Sequence, residues 1–265
     1  MNTDENLKRI EELHQKLSEL RPLSSGEIKR LFEQFAVRNT YNSNAIEGST
    51  LTLRETALIL QEGITIAERS LKEHLEAIGH KDAFNFVVEL SQQNVPLKIY
   101  DIKQIHSLVL MNDRMNAGVY RRVPVMIMGA SHTPPQPYLI EPLMEELVNS
   151  YNNSTDSFFD RIAKLHLDFE RIHPFIDGNG RTGRLILNLE LLKAGYYPVD
   201  IKCTDRIRYY GAFEDYHSTG NPDMMKEILI EYELKELSEY VKIVEQSADA
   251  DFDSENTGDV FDFEL

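Results

Sequence analysis

HPFIDGNGRTGR, residues 173–184, admits two readings, and the choice between them decides the fold. Its glycines at 178, 180 and 183 follow GxGxxG, the spacing of a dinucleotide-binding turn. That reading needs a strand before the glycines and a βαβ unit around them. Upstream, however, Phe158, Ile162, Leu165, Phe169 and Ile172 step by 4, 3, 4 and 3 residues, the period of a buried helical face. Downstream, LILNLELLKAGYYP is apolar on most sides and predicts a central helix stopped by Gly195 and Pro198. The glycines therefore lie between two helices, and a Rossmann unit is not expected. A Walker loop fails too, because no Gly-Lys-Ser/Thr ends the turn.

Helical patterns continue in both directions. Residues 4–20 are amphipathic, and two capping boxes, Ser24 with Glu27 and Thr52 with Glu55, open further helices, the second ended by Gly63. Leu71, Leu75 and Ile78 begin a long helix reaching about Gln93, and IYDIKQIHSLVLM predicts another. Only RRVPVMIMGASHTPP departs from this period: Val123, Val125 and Ile127 alternate before a Gly-Ala-Ser turn, predicting a short β-hairpin. Pro142 reopens helix, and helices over about 204–217 and 221–245 follow. The expected fold is mainly α, one helical domain with a hairpin flap and an N-terminal helical extension.

Composition sets outer bounds. The net charge of −16 over 265 residues opposes a nucleic-acid partner. Residues 247–265 hold seven acidic residues and no Lys or Arg, which leaves −9 on residues 1–246. That tail is expected to be disordered, with Phe252, Phe261 and Phe263 as the alternative marks of a docking peptide. The single Cys203 excludes an intrachain disulfide and a multi-cysteine zinc site. No apolar run has membrane-spanning length, the first residues have no apolar signal core, and a cytoplasmic protein is expected.

The side chains of the opening stretch add chemistry to the glycine turn. Backbone N–H groups at the start of a helix suit an anion. Arg181 and Arg184, at i and i+3, can face one ligand, and guanidinium forks match phosphate. Asn179 can donate to an oxyanion, Asp177 can hold a Mg²⁺ that bridges phosphates, and His173 closes the preceding helix as a candidate general base. A base, a metal ligand and a donor set fit phosphoryl or nucleotidyl transfer. Structural readings stand beside these: an Asp177–Arg181 ion pair, a plain helix–helix turn, and a helix-terminal His173. His166, seven residues before His173, is read as core rather than metal ligand.

At this point the sequence resembles the Fic family. His173, Phe175, Asp177, Gly178, Asn179, Gly180, Arg181 and Arg184 match its HxFx[DE]GNGRxxR signature throughout. AGVYRRVPVMIMGASHTPP resembles the family's flap, and DRIRYYGAFEDYHSTGN the segment that bounds the nucleotide base, so the likeness covers roughly residues 100–220. The division it implies is a helical region over 1–98, a Fic core over 99–220, a C-terminal helix over 221–246 and an acidic tail over 247–265.

The resemblance implies transfer of AMP from ATP to a Ser, Thr or Tyr hydroxyl of a protein, with Mg²⁺. His173 would deprotonate the target and Phe175 anchor the loop. Asp177 would bind Mg²⁺. Asn179, with the loop N–H groups around Gly178 and Gly180, would form the α-phosphate hole. Arg181 and Arg184 would grip the β- and γ-phosphates. Tyr209 and Tyr210 would border adenine, and the target would dock on the flap around 123–136. SNAIEG, Ser43 to Gly48, matches the family's [ST]xxxE[GN] inhibitory pattern. It implies that Glu47 pairs with Arg184 where the γ-phosphate belongs. Alternatives are transfer of another phosphate-containing group, removal of AMP with Glu47 aligning water, a kinase, and a non-catalytic nucleotide-binding regulator. A DNA-binding role does not fit the acidic C-terminal part, and a homodimer stays open.

Overall fold

The computed structural model describes residues 3–20, 24–93, 95–127, 129 and 131–256. Ten α-helices run in order: α1 Thr3–Glu19, α2 Ser25–Ile46, α3 Leu53–Ala57, α4 Leu71–Ser91, α5 Ile99–Val109, α6 Ile140–Asn153, α7 Phe158–Ile172, α8 Asn179–Lys193, α9 Arg206–Thr219 and α10 Asp223–Asn256. A π-helical turn, Leu58–Glu62, extends α3 and ends at Gly63 in the left-handed region. Both expected capping boxes form, and a third, Ser70 with Glu73, opens α4. Each satisfies backbone donors that a helix start otherwise leaves unpaired.

α8 is the centre of the molecule. Residues 181–191 are buried without a break, and α4, α5, α7 and α2 pack around them. An apolar sequence on nearly every side demands this position. α1, although first in sequence, packs on α10. The main core joins Phe35, Phe84, Phe169 and Phe175 with the aliphatic faces of these helices, while Leu51, Ile59 and Ala77 form a small second cluster.

The inhibitory-type segment is braced by that second region. Glu73 accepts from the N–H and hydroxyl of Thr50, both at 2.8 Å, and these bonds hold its carboxyl down at about 2. Arg69 bonds Thr50 and reaches both oxygens of Glu55. The turn that follows Glu47 is thus tied to α3 and α4.

Two expectations are modified. The described residues contain no strand: 124–127 carry no regular secondary structure, and Met128 and Ala130 of the expected turn lie outside the description. A side chain, Arg121, holds this segment instead of a ladder. The last helix also runs past 246 to Asn256, so the first part of the acidic tail is helical. Phe261 and Phe263 lie outside the described residues. Among the described residues no helix is long and apolar enough to cross a membrane.

Candidate active site

The stretch 173–184 turns the chain from α7 into α8. His173 is the C-cap of α7 and sits in the left-handed region at φ 49°, ψ 61°. For a residue with a Cβ this costs of order 1–3 kcal/mol and persists only where its surroundings enforce it. Here they do. The His173 N–H donates to Phe169 O at 3.0 Å, and its carbonyl accepts from Arg121 Nε at 2.8 Å. Gly178, at φ 78°, caps α8.

Between the caps, Phe175 plugs into the core. It is fully buried and stacks on His106, with centroids 3.6 Å apart and planes 5° from parallel. His106 Nδ1 accepts from the Gly118 N–H at 2.9 Å, so Nε2 carries the proton and donates to Asp177 O at 2.9 Å. Burial lowers this imidazole to about 4, consistent with a neutral ring in that tautomer.

Above the loop lies a cavity of about 490 Å³, lined in part by Glu47, His173, Gly180, Arg184, Tyr209 and Tyr210. Arg184 is buried at its base. Its Nε donates to Ser43 Oγ at 2.9 Å, and Nη2 donates to Ser43 O and to Glu47 Oε1, both at 2.8 Å. Burial opposes the guanidinium charge, and Glu47 together with Tyr209 more than reverses that effect. A Cβ on Gly180 would stand 2.2 Å from Glu47 Oε1. Only a glycine lets the carboxylate approach the first turn of α8, where an anion is favoured.

The match to proteins of known kind follows this geometry. Residues 96–191 match the model of the Fic/DOC family. The protein adenylyltransferase Fic of Drosophila melanogaster is 35% identical over 209 residues, covering 77% of this chain and 42% of the relative. That of Nematostella vectensis is 36% identical over 215 residues, covering 78% and 49%. The chain thus spans under half the length of these relatives. Among solved structures, a Fic domain containing signaling protein from Bacteroides thetaiotaomicron superposes with TM-score 0.81 at 26% identity, over 90% of this chain and 97% of that one. Fic-1 from C. elegans gives 0.79 at 28%, over 90% and 71%. Residues 96–191 form a Fic-type domain.

Within the Fic core, the cavity gathers Glu47, Gly48, His173, Gly180, Arg184, Tyr209 and Tyr210 from three separate parts of the sequence. Asn179 and Arg181 both hold partners within the protein. Asn179 is buried and returns both amide groups to the Phe175 backbone, at 2.9 Å each, so it clamps the loop. Its oxygen and one donor are engaged there, which leaves the loop N–H groups as the donors nearest an anion. Arg181 is buried between Glu76 on α4, at 3.1 Å, and Asp177, at 3.2 Å. Two carboxylates occupy its fork in this state. Asp177 is half-exposed and also accepts from the Gly178 N–H at 2.6 Å. Among the described residues no three His, Cys, Asp or Glu side chains group as a metal site. One exposed carboxylate fits a Mg²⁺ that keeps waters and phosphate oxygens as its other ligands.

His166 is core, as the sequence suggested: it is 2% exposed, its Nε2 lies 2.6 Å from Tyr209 OH, and burial lowers it to about 3. Tyr210 bridges two functions. It lines the cavity, and its hydroxyl donates to Ile46 O at 3.1 Å, closing the C-terminus of the α2 helix that carries Ser43. Three residues went unseen in the sequence. Arg121 bonds the carbonyls of His173, Val123 and Pro135, stapling both ends of the flap to the C-terminus of α7. His106 supports Phe175 and Asp177. Glu170 lines the cavity beside His173. None belongs to the signature, and a lone Arg, His or Glu carries no periodic signal.

Proposed function

We propose that this chain is a protein adenylyltransferase, moving AMP from ATP with Mg²⁺ onto a protein hydroxyl, and that Glu47 restrains it. The observation that carries this is the single cavity in which His173, the start of α8 and Arg184 converge, with Glu47 on Arg184 at 2.8 Å. Naming of the relatives as adenylyltransferases supports the same activity.

In this reading His173 Nε2 takes the proton of the target hydroxyl, whose own pKa is too high for attack near pH 7. Burial holds the imidazole down at about 4, so the ring is neutral and open to a proton. The N–H groups at the start of α8 receive the charge that develops on the α-phosphate. Asp177 holds Mg²⁺, which supplies positive charge to the phosphates. Release of Arg181 from Asp177 frees it for the β-phosphate. Arg184 takes the γ-phosphate once Glu47 leaves. Tyr209, Tyr210 and Phe213 border the base. The target docks along the flap around 123–136, where Val123 and Met126 are exposed and a target segment could pair through main-chain hydrogen bonds.

Incubation with α-labelled ATP and Mg²⁺ tests this. Glu47→Gly is expected to raise label incorporation into protein, and His173→Ala in that background to abolish it. An unlabelled Glu47→Gly protein overturns the reading. Transfer of γ-label instead identifies a kinase, and loss of label from a pre-modified protein identifies AMP removal.

A further inference from the structure

Glu170 is a buried carboxyl with no assigned task. It stands one turn before His173 on α7, 13% exposed, with Oε2 3.8 Å from His173 Nδ1. Its Oε1 is buried without a hydrogen-bond partner. Native proteins leave few such atoms, and each calls for a reason. The fold also makes room for it: a Cβ on Gly183, in α8 opposite, would lie 2.6 Å from Oε1. Gly183 is thus the residue that admits a carboxyl at this place.

The groups around it divide by sign. Glu47 faces Glu170 from the end of α2, Arg184 from α8, and Tyr209 and Tyr210 from α9. On His173 itself the Glu170 backbone acts first after burial and raises it, Arg121 then lowers it, and Glu47 and Asp177 raise it. Burial first, and Glu47 second, push Glu170 up to about 8, so with Glu47 in place it is a neutral acid at pH 7. Burial meanwhile pulls His173 below the range in which a general base works best. A carboxylate beside Nδ1 corrects both faults, because it fixes the ring tautomer and favours the imidazolium.

We propose that Glu170 is a positioning residue for His173, orienting Nδ1 and supporting the charge that forms on the ring, and that Glu47 suppresses it. The inference rests on His173 acting as base in the proposed transfer. Nε2 takes the hydroxyl proton as the target oxygen bonds the α-phosphorus. The bond from that phosphorus to the bridging oxygen breaks, and pyrophosphate leaves. Glu170 takes no proton; its Oε2 accepts from Nδ1–H after closing by about 1 Å to hydrogen-bond distance. Glu47 would then inhibit twice, by holding Arg184 and by adding a second carboxylate to the cavity that Glu170 lines, which reinforces what burial already does to Glu170.

Two measurements on the full chain decide it. In the Glu47→Gly background, Glu170→Gln is expected to lower the His173 pKa, followed by NMR of labelled histidine and assigned through His173→Ala, by about half a unit or more. With Glu47 present the shift is smaller. A His173 that titrates identically with and without Glu170→Gln overturns the proposal. In kinetics, Glu170→Gln is expected to cut kcat about tenfold with KM for ATP held within about twofold, and to move the acid limb of the kcat/KM profile to lower pH. A fall in kcat with an unmoved limb and an unmoved His173 pKa marks a structural role and also overturns it. Should Glu170→Gln not fold, Glu170→Asp, which keeps the charge and shortens its reach, is expected to give a smaller kcat loss and to retain part of the acid limb; loss equal to that of an inactive enzyme counts against the idea. The NMR arm needs no turnover, so failure of AMP transfer in Glu47→Gly refutes the activity without deciding the pairing.

Discussion

At the scale of single residues, Arg184 is the point on which the proposed control turns. Its three bonds to Ser43 and Glu47 engage Nε and Nη2, while Nη1 is buried without a partner, and each partner side chain can be removed separately. Ser43→Ala leaves Nε buried and unpaired, which costs about 1–3 kcal/mol. The expected Tm falls by roughly 2–4 °C for each kcal/mol lost, measurable by scanning calorimetry. Glu47→Gly removes a competitor for the phosphate site and is expected to raise the initial rate of AMP incorporation about 100-fold, the scale of effect that a 1 Å misplacement of reacting groups carries. Gly180→Ala acts on the same contact from the other side. Its Cβ collides with the Glu47 carboxylate, so the Glu47–Arg184 bond is expected to break without loss of either partner.

At the scale of elements, the site depends on how the turn between α7 and α8 is held. Phe175, stacked on His106 and 0% exposed, is the internal anchor. Phe175→Ala is expected to cost about 3–5 kcal/mol and to release the loop, read as a lower denaturation midpoint together with weaker ATP binding. Arg121 is the external anchor, since one guanidinium spans the flap's two ends and the last turn of α7. Arg121→Lys keeps the charge but loses the planar fork. Faster amide exchange confined to residues 121–136 and the turn at 172–174 is the expected result, and unchanged exchange there would refute the staple.

At the scale of the whole molecule, stability is expected to depend on pH in a definite direction. His80, His106, His166 and His173 are held neutral by burial, with values lowered to about 3 or 4 from an ordinary 6.5. Below pH 6.5 the unfolded chain therefore binds more protons at these sites, and stability falls as pH drops toward 4. Glu170 and Glu233 are raised by burial to about 8, so the folded chain retains protons there, and stability falls as pH rises from about 4.5 through 8. His14 and His217 are lowered as well, and Asp168, Asp200 and Glu236 are raised, so six histidines oppose five acids on the low side, while the acids act without them above 6.5. A Tm maximum near pH 6.5, declining on both sides, is the outcome that thermal melts across pH 4.5–9 would check.

The helices were legible because their signals are local. Periods of 3.6, capping pairs such as Ser24 with Glu27, and the stops at Gly63 and Gly195 each act within a few residues. The base, the metal-ligand candidate and the arginines were legible because they share twelve consecutive positions, and Glu47 because its six-residue pattern precedes them. Sequence could not show that Asn179 turns back on Phe175 or that Arg181 lies between Asp177 and Glu76, since a donor's partner depends on which helices pack together. Nor could it show the flap without a ladder, because alternation states a preference and pairing needs a neighbour. Arg121 and Glu170 lay beyond its reach for the same reason. What the sequence by itself determined was the set of helices and the candidate site residues between α7 and α8; only the packing of α2, α4 and α9 around α8 decided which of those residues face one cavity, because burial and charge partnership are properties of the assembled fold.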